Sequence, residues 1–212
     1  VGCSVEGCEK DAWARGLCRE HYFPLTKYAA ESYTRGEMKA LIKACDMFKR
    51  PERMRALIAL MWRAGLRLDE ALSLRPIDVD DEYKTIRVLK GKGSKARTVA
   101  IDDYGLQLID DWLALREAEP GSPLVCTGTG GKISQSWVRT VLPKLGAAAG
   151  VDRRVHAHGF RHTFTVELVR EGVPMPLIQR LLGHSSLGTT SAYVASIAPE
   201  EALDAVRWRR YE

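Results

Sequence analysis

The stretch from His158 to Tyr193 holds two histidines, an arginine and a tyrosine whose types and spacing could do chemistry. It reads H-G-F-R-H-T-F-T-V-E-L-V-R-E-G-V-P-M-P-L-I-Q-R-L-L-G-H-S-S-L-G-T-T-S-A-Y. His158 and Arg161 stand three positions apart, so a helix would set them on one face, one turn from each other. Gly172 is placed to stop the helix that begins near Gly159, and Pro176 to open a second one that ends at Gly183. His184 then falls just past a helix end, with Tyr193 nine residues beyond it. A guanidinium grips phosphate through two parallel hydrogen bonds. A phenol, with a pKa of about 10, attacks at neutral pH only with a proton acceptor beside it. A nucleophile, a base and an anion clamp together suggest covalent phosphoryl transfer.

The same stretch resembles the second conserved box of the tyrosine recombinase (phage integrase) family: H-x-x-R, then L-G-H, then the nucleophilic tyrosine. His158, Arg161, Gly183-His184 and Tyr193 match it residue by residue. Residues 65–72, G-L-R-L-D-E-A-L, resemble the family's first box, whose catalytic arginine would be Arg67. Glu70 is read as a buttress for Arg67; alone, such an i,i+3 pair is a surface ion pair. The G-K-G turn at 91–93 matches the family's lysine with Lys92, and Lys95 is a rival because hairpin tips slip in register. The resemblance covers residues 33 to 212.

It implies a mainly helical domain with a small antiparallel hairpin, in which Tyr193 attacks a DNA phosphate. A 3′-phosphotyrosyl bond would form and a 5′-hydroxyl leave. Arg67 and Arg161 would clamp the non-bridging oxygens, and His158 would accept or orient the phenol proton. His184 would hydrogen-bond the phosphate and Lys92 would protonate the departing oxygen. Transesterification conserves the bond energy, so neither ATP nor a catalytic metal or nucleotide enters. The implied partner is double-stranded DNA, engaged by a homo-oligomer, a tetramer in the family. Two rivals share these residues: a binding-only DNA regulator and a type IB topoisomerase-like enzyme.

The whole chain is compatible with that reading. Its 212 residues can bury one core with a small appendage, and a net charge of +5 suits a polyanionic partner. No apolar run approaches the about 20 residues that span a bilayer, and no secretory leader is visible. Among the five cysteines, Cys3, Cys8 and Cys18 crowd the N-terminus in the pattern C-x4-C-x9-C-x2-H, closed by His21. Three thiolates and an imidazole make a tetrahedral shell for structural zinc. An odd, clustered set argues against disulfides and for a reducing, cytoplasmic setting.

The elements that must position the chemistry follow from caps and periodicity. Thr34-x-x-Glu37 is a capping box ahead of Met38, Leu41, Ile42, Cys45 and Phe48. Pro51 starts a second helix, with Met54, Leu57, Ile58 and Met61 on one face, which runs into residues 65–72. Ile86 and Val88, then Val99 and Ile101, alternate as a β-hairpin. Asp102 or Asp103 caps a helix carrying Leu106, Ile109 and Trp112. The G-T-G-G-K-I run lacks the first glycine of a phosphate loop, where Cys126 stands, and has Ile133 in place of Ser/Thr; it is read as a turn. Ser134 or Ser136 caps a helix, kinked at Pro143, whose Arg139 and Lys144 are candidates for DNA-backbone contact. His156 and His162 are read as structural or surface groups. Residues 199–210 form a last basic helix, with Leu203 and Val206 apolar, that docks on a neighbouring copy; Tyr211 is a rival nucleophile in principle only.

The expected fold class is therefore α+β: mainly helical, tyrosine recombinase catalytic-domain-like, with a small antiparallel hairpin. Residues 1–25 would be the zinc module, 26–33 a linker and 34–212 the catalytic domain. The helical core-binding domain usual in the family has no room between His21 and Tyr33 and is read as absent. A longer parent chain, or the zinc module standing in for the missing half, would account for that.

Overall fold

Thr34 opens the first helix among the described residues, as its spacing to Glu37 predicts. Its Oγ1 accepts from the Glu37 N–H at 3.2 Å, and Glu37 Oε2 accepts from the Thr34 N–H at 2.7 Å, so two orphan donors are met reciprocally. The computed structural model describes residues 2, 8–11, 32–89 and 96–183, and Tyr33–Gly183 form one compact unit. In it α1 (Arg35–Ala44) buries Met38 and Leu41, then tightens into a 3-10 turn over Cys45–Met47.

Helix α2 (Pro51–Trp62) starts at the expected proline, whose missing N–H costs nothing in a first turn. It is buried on far more than one stripe: Met54 and every residue from Ala56 to Trp62 lie inside. The reason is its position, packed between α4 (Asp103–Leu115) and α6 (Ala157–Arg170). The helix stops at Trp62, ahead of the box at residues 65–72. Gly65 takes φ +63, a left-handed turn that a side chain resists, and a separate short helix α3 (Leu68–Ser73) begins after it.

The predicted hairpin is present as β2 (Thr85–Val88) and β3 (Arg97–Ala100), antiparallel, with Ile86 opposite Val99 and both buried. A two-residue strand β1 (Val79–Asp80) extends it to three in the order β1-β2-β3. So short a strand carries no period for a sequence to show. Asp102, not Asp103, caps α4, accepting from the Gly105 N–H at 2.9 Å. Trp112 donates its indole N–H to the Leu124 carbonyl at 2.8 Å, holding the following loop on the core. Residues 127–131 form the expected turn, closed by the Thr127 N–H to Gly131 carbonyl bond at 2.8 Å. Ser134 caps α5 (Gln135–Ala148), which continues through Pro143. Helix α6 ends with Gly172 at φ +76, and α7 (Met175–Leu182) ends with Gly183 at φ +63, both glycines where a left-handed stop was expected.

The architecture is mainly helical with a small antiparallel sheet, as expected. Of the four proposed zinc ligands, Cys3, Cys18 and His21 lie outside the described residues, and Cys8 is half-buried. Among the described residues no group of three or more His, Cys, Asp or Glu could hold a metal ion. The final helix proposed at 199–210 also lies outside them.

Candidate active site

Arg67 stands at the N-terminus of α3 in extended backbone, with its side chain 37% exposed. Glu70, one turn on, reaches back to it twice: Oε2 accepts from the Arg67 N–H at 2.8 Å and Oε1 from Nη1 at 3.0 Å. That is the predicted buttress. The same carboxylate also takes a fork from Arg97 on β3, Nη1 to Oε1 and Nη2 to Oε2, each at 2.8 Å. Arg161 lies near it as well, Nη1 at 3.9 Å from Oε2. One buried carboxylate thus faces three guanidiniums. Burial pushes the Glu70 carboxyl up. The side-chain bonds from Arg97, the Arg67 N–H and the charges of Arg97 and Arg161 outweigh this and hold it at about 2.

Arg161 is only 3% exposed, and its guanidinium is anchored on two backbone carbonyls. Nη1 donates to Gly65 at 2.5 Å and Nη2 to Leu182 at 2.7 Å. Both acceptors sit at chain breaks, the turn after α2 and the last turn of α7, where carbonyls have lost their helical partners. His158, one turn before Arg161 on α6, is exposed. Tyr33 fixes where this helix starts. Its hydroxyl accepts from the His156 N–H at 3.1 Å, its own N–H donates to Thr163 Oγ1 at 2.8 Å, and its ring centroid lies 5.2 Å from that of Phe160.

Arg67, His158 and Arg161 line one cleft of about 490 Å³. Arg139 and Arg154 join them there, and among the described residues Asp69 is its single carboxylate. Such a pocket attracts a polyanion and can hold a phosphoryl group between guanidiniums. Lys144 is exposed, as a backbone contact would need. His156 caps α6, its Nδ1 accepting from the Gly159 N–H at 3.2 Å, and His162 is buried at 1% exposure. Lys92 with its rival Lys95, His184, and Tyr193 with its rival Tyr211 lie outside the described residues.

Arg97 is the residue that sequence reasoning passed over. A signal for it exists: it shares the inward face of β3 with buried Val99, two residues on, and an arginine facing inward must have found a carboxylate.

Four similarities bear on this site. The profile of the phage integrase family matches residues 19–199. Tyrosine recombinase XerC of Shewanella sp. (strain W3-18-1) is 32% identical over 145 residues, 68% of this chain and 48% of that protein, so the chain spans about half the length of the curated relatives it matches. The crystal structure of XerA recombinase superposes with a TM-score of 0.73 at 27% identity, over 85% of this chain and 66% of that one. That of XerH site-specific recombinase bound to palindromic difH substrate, a post-cleavage complex, superposes at 0.68 with 28% identity, over 84% and 53%.

Proposed function

The chain belongs to the phage integrase family, whose profile spans residues 19–199, and from that premise we propose that it is a site-specific recombinase that cuts and rejoins DNA through Tyr193. The observation that carries this reading is the convergence of Arg67 with His158 and Arg161, a pair far from it in sequence, on one cationic cleft.

Arg67 and Arg161 bind the non-bridging oxygens of a DNA phosphate, where charge grows in the transition state. The Tyr193 oxygen attacks phosphorus while His158 accepts or orients its proton. The bond from phosphorus to the 5′-oxygen breaks, and Lys92 gives that oxygen its proton, leaving a 5′-hydroxyl and a 3′-phosphotyrosyl bond. His184 hydrogen-bonds the phosphate. Reversal with a different 5′-hydroxyl rejoins DNA with no nucleotide or catalytic metal. Lys92, His184 and Tyr193 enter on their match to the family's motifs, and residues 34–212 are taken as the catalytic domain.

The partner is double-stranded DNA, and the working form is a homo-oligomer, a tetramer on the family's pattern. Among the described residues no helix is long and apolar enough to cross a membrane; a cytoplasmic enzyme is the reading that the clustered cysteines favour. We also assign structural zinc to Cys3, Cys8, Cys18 and His21, supported by their spacing, with residues 1–25 as the module it folds.

The test is a pool of nicked duplexes with randomised sequence around the nick, which lets the short fragment bearing the new 5′-hydroxyl diffuse away after cleavage. The intact chain should form a protein–DNA adduct that survives denaturation, and Tyr193→Phe should form none. DNA binding without any adduct would overturn the proposal in favour of a binding-only regulator.

A further inference from the structure

We infer that Arg97 is a positioning residue of the cleft: it holds Glu70 and the last turn of α7 together, so that Arg67 and Arg161 present a fixed pair of cations. This rests on the reading above.

All three guanidinium nitrogens of Arg97 are engaged. Two form the fork to Glu70 at 2.8 Å, and Nε donates to the Leu181 carbonyl at 3.0 Å. The side chain is 10% exposed, so little water competes for these bonds. Its acceptor Leu181 is the neighbour of Leu182, whose carbonyl receives Arg161 at 2.7 Å. Two arginines from different elements therefore serve adjacent orphan carbonyls at one helix end and flank the same carboxylate. Gly183, at φ +63, is packed on Arg97 as well: a Cβ there would lie 3.1 Å from Cδ and 3.2 Å from Nε. Through one side chain β3, α3 and the end of α7 share a register.

The charges give this geometry its purpose. A carboxylate placed among Arg67 and Arg161 with nothing else to bind would close on both and compete with a phosphate. The Arg97 fork occupies both Glu70 oxygens, leaving Arg67 one side-chain bond at 3.0 Å and Arg161 at 3.9 Å. Lysine cannot replace it, since a point charge supplies neither the planar fork nor the third, separately aimed donor.

The measurement is the rate of adduct formation on the nicked duplex most efficiently captured from the randomised pool, with DNA affinity measured alongside. Arg97→Lys should slow cleavage about 10- to 100-fold, the scale of a misplaced reacting group, while DNA affinity stays within about threefold. In a Glu70→Gln background the same change should cost less than about threefold, because the charge it restrains is gone. Should Arg97→Lys fail to fold, Arg97→Gln is read the same way. Cleavage at the wild-type rate by Arg97→Lys overturns the inference, as do penalties that multiply in the double variant. If the wild-type chain forms no adduct at all, the recombinase reading fails and the role of Arg97 falls with it.

Discussion

Arg161 Nη1 donates to the Gly65 carbonyl at 2.5 Å across 96 positions of sequence, tying α6 to the turn that ends α2. Both family boxes meet in that bond: Gly65 opens the segment that delivers Arg67, and Arg161 follows His158 by one turn. The acceptor is a glycine for two reasons. Its φ is +63, and a Cβ there would stand 2.5 Å from Cδ1 and Cε1 of Phe164.

Gly65→Ala should therefore be among the most damaging single-methyl changes available. A left-handed alanine costs about 1–2 kcal/mol, and overpacking against Phe164 adds about 1–3 kcal/mol. Denaturant unfolding should show a loss of roughly 2–5 kcal/mol. A loss below about 0.5 kcal/mol, within the range of an indifferent surface change, would mean that the turn relaxes freely and does not hold Arg161.

Glu70 should make the protein acid-sensitive in a defined window. Its folded carboxyl is held at about 2 against an ordinary 4.5, despite burial, by Arg97, Arg67 and Arg161. A depressed pKa gives stability that is complete above pH 4.5 and fades as pH falls toward about 2. The amount is roughly 3 kcal/mol. Urea unfolding over a pH series should show the gap between wild type and Glu70→Gln closing by that order across the window. A gap constant with pH would show that the carboxylate is not strongly paired.

The cysteines should divide into two classes. Burial pushes the Cys45 thiol up to about 12, and Cys126 is buried at 1% exposure. Both should resist alkylation at pH 8 until the chain unfolds. Cys3, Cys8 and Cys18 should resist it only while zinc is bound, with a chelator releasing about one equivalent of metal and opening all three. Alkylation of those three at the same rate with and without chelator would remove zinc from the account.

Lys92 should matter only while the leaving oxygen needs a proton. A nicked duplex with sulfur at the 5′-bridging position has a far better leaving group. It should restore cleavage to Lys92→Ala while Arg161→Ala stays inactive. Rescue of Lys95→Ala, with no defect in Lys92→Ala, would move the acid three residues along the sequence.

Much of the fold was legible because its signals are local. Thr34 with Glu37, Asp102, and Gly172 and Gly183 each declare a helix end within a few residues. His158 and Arg161 share a face by spacing alone. What stayed hidden depended on distant parts of the chain. The all-round burial of α2 reflects α4 and α6 on its flanks, and an apolar stripe marks only one of these. The glycine at 65 shows a turn ahead of Arg67, but the crowding by Phe164 and the bond from Arg161 come from far along the sequence. Arg97 belongs to no motif that spacing reveals, and its bond to Glu70 appears only once β3 is set against α3.

The central claim is that Tyr193 becomes covalently joined to DNA. The direct measurement is to trap the adduct on nicked DNA, digest both components and identify by mass spectrometry the peptide that carries the nucleotide. The expected product is a 3′-phosphate linked to the oxygen of Tyr193, in a peptide that disappears in Tyr193→Phe. A nucleotide found on Tyr211 or any other residue would contradict it.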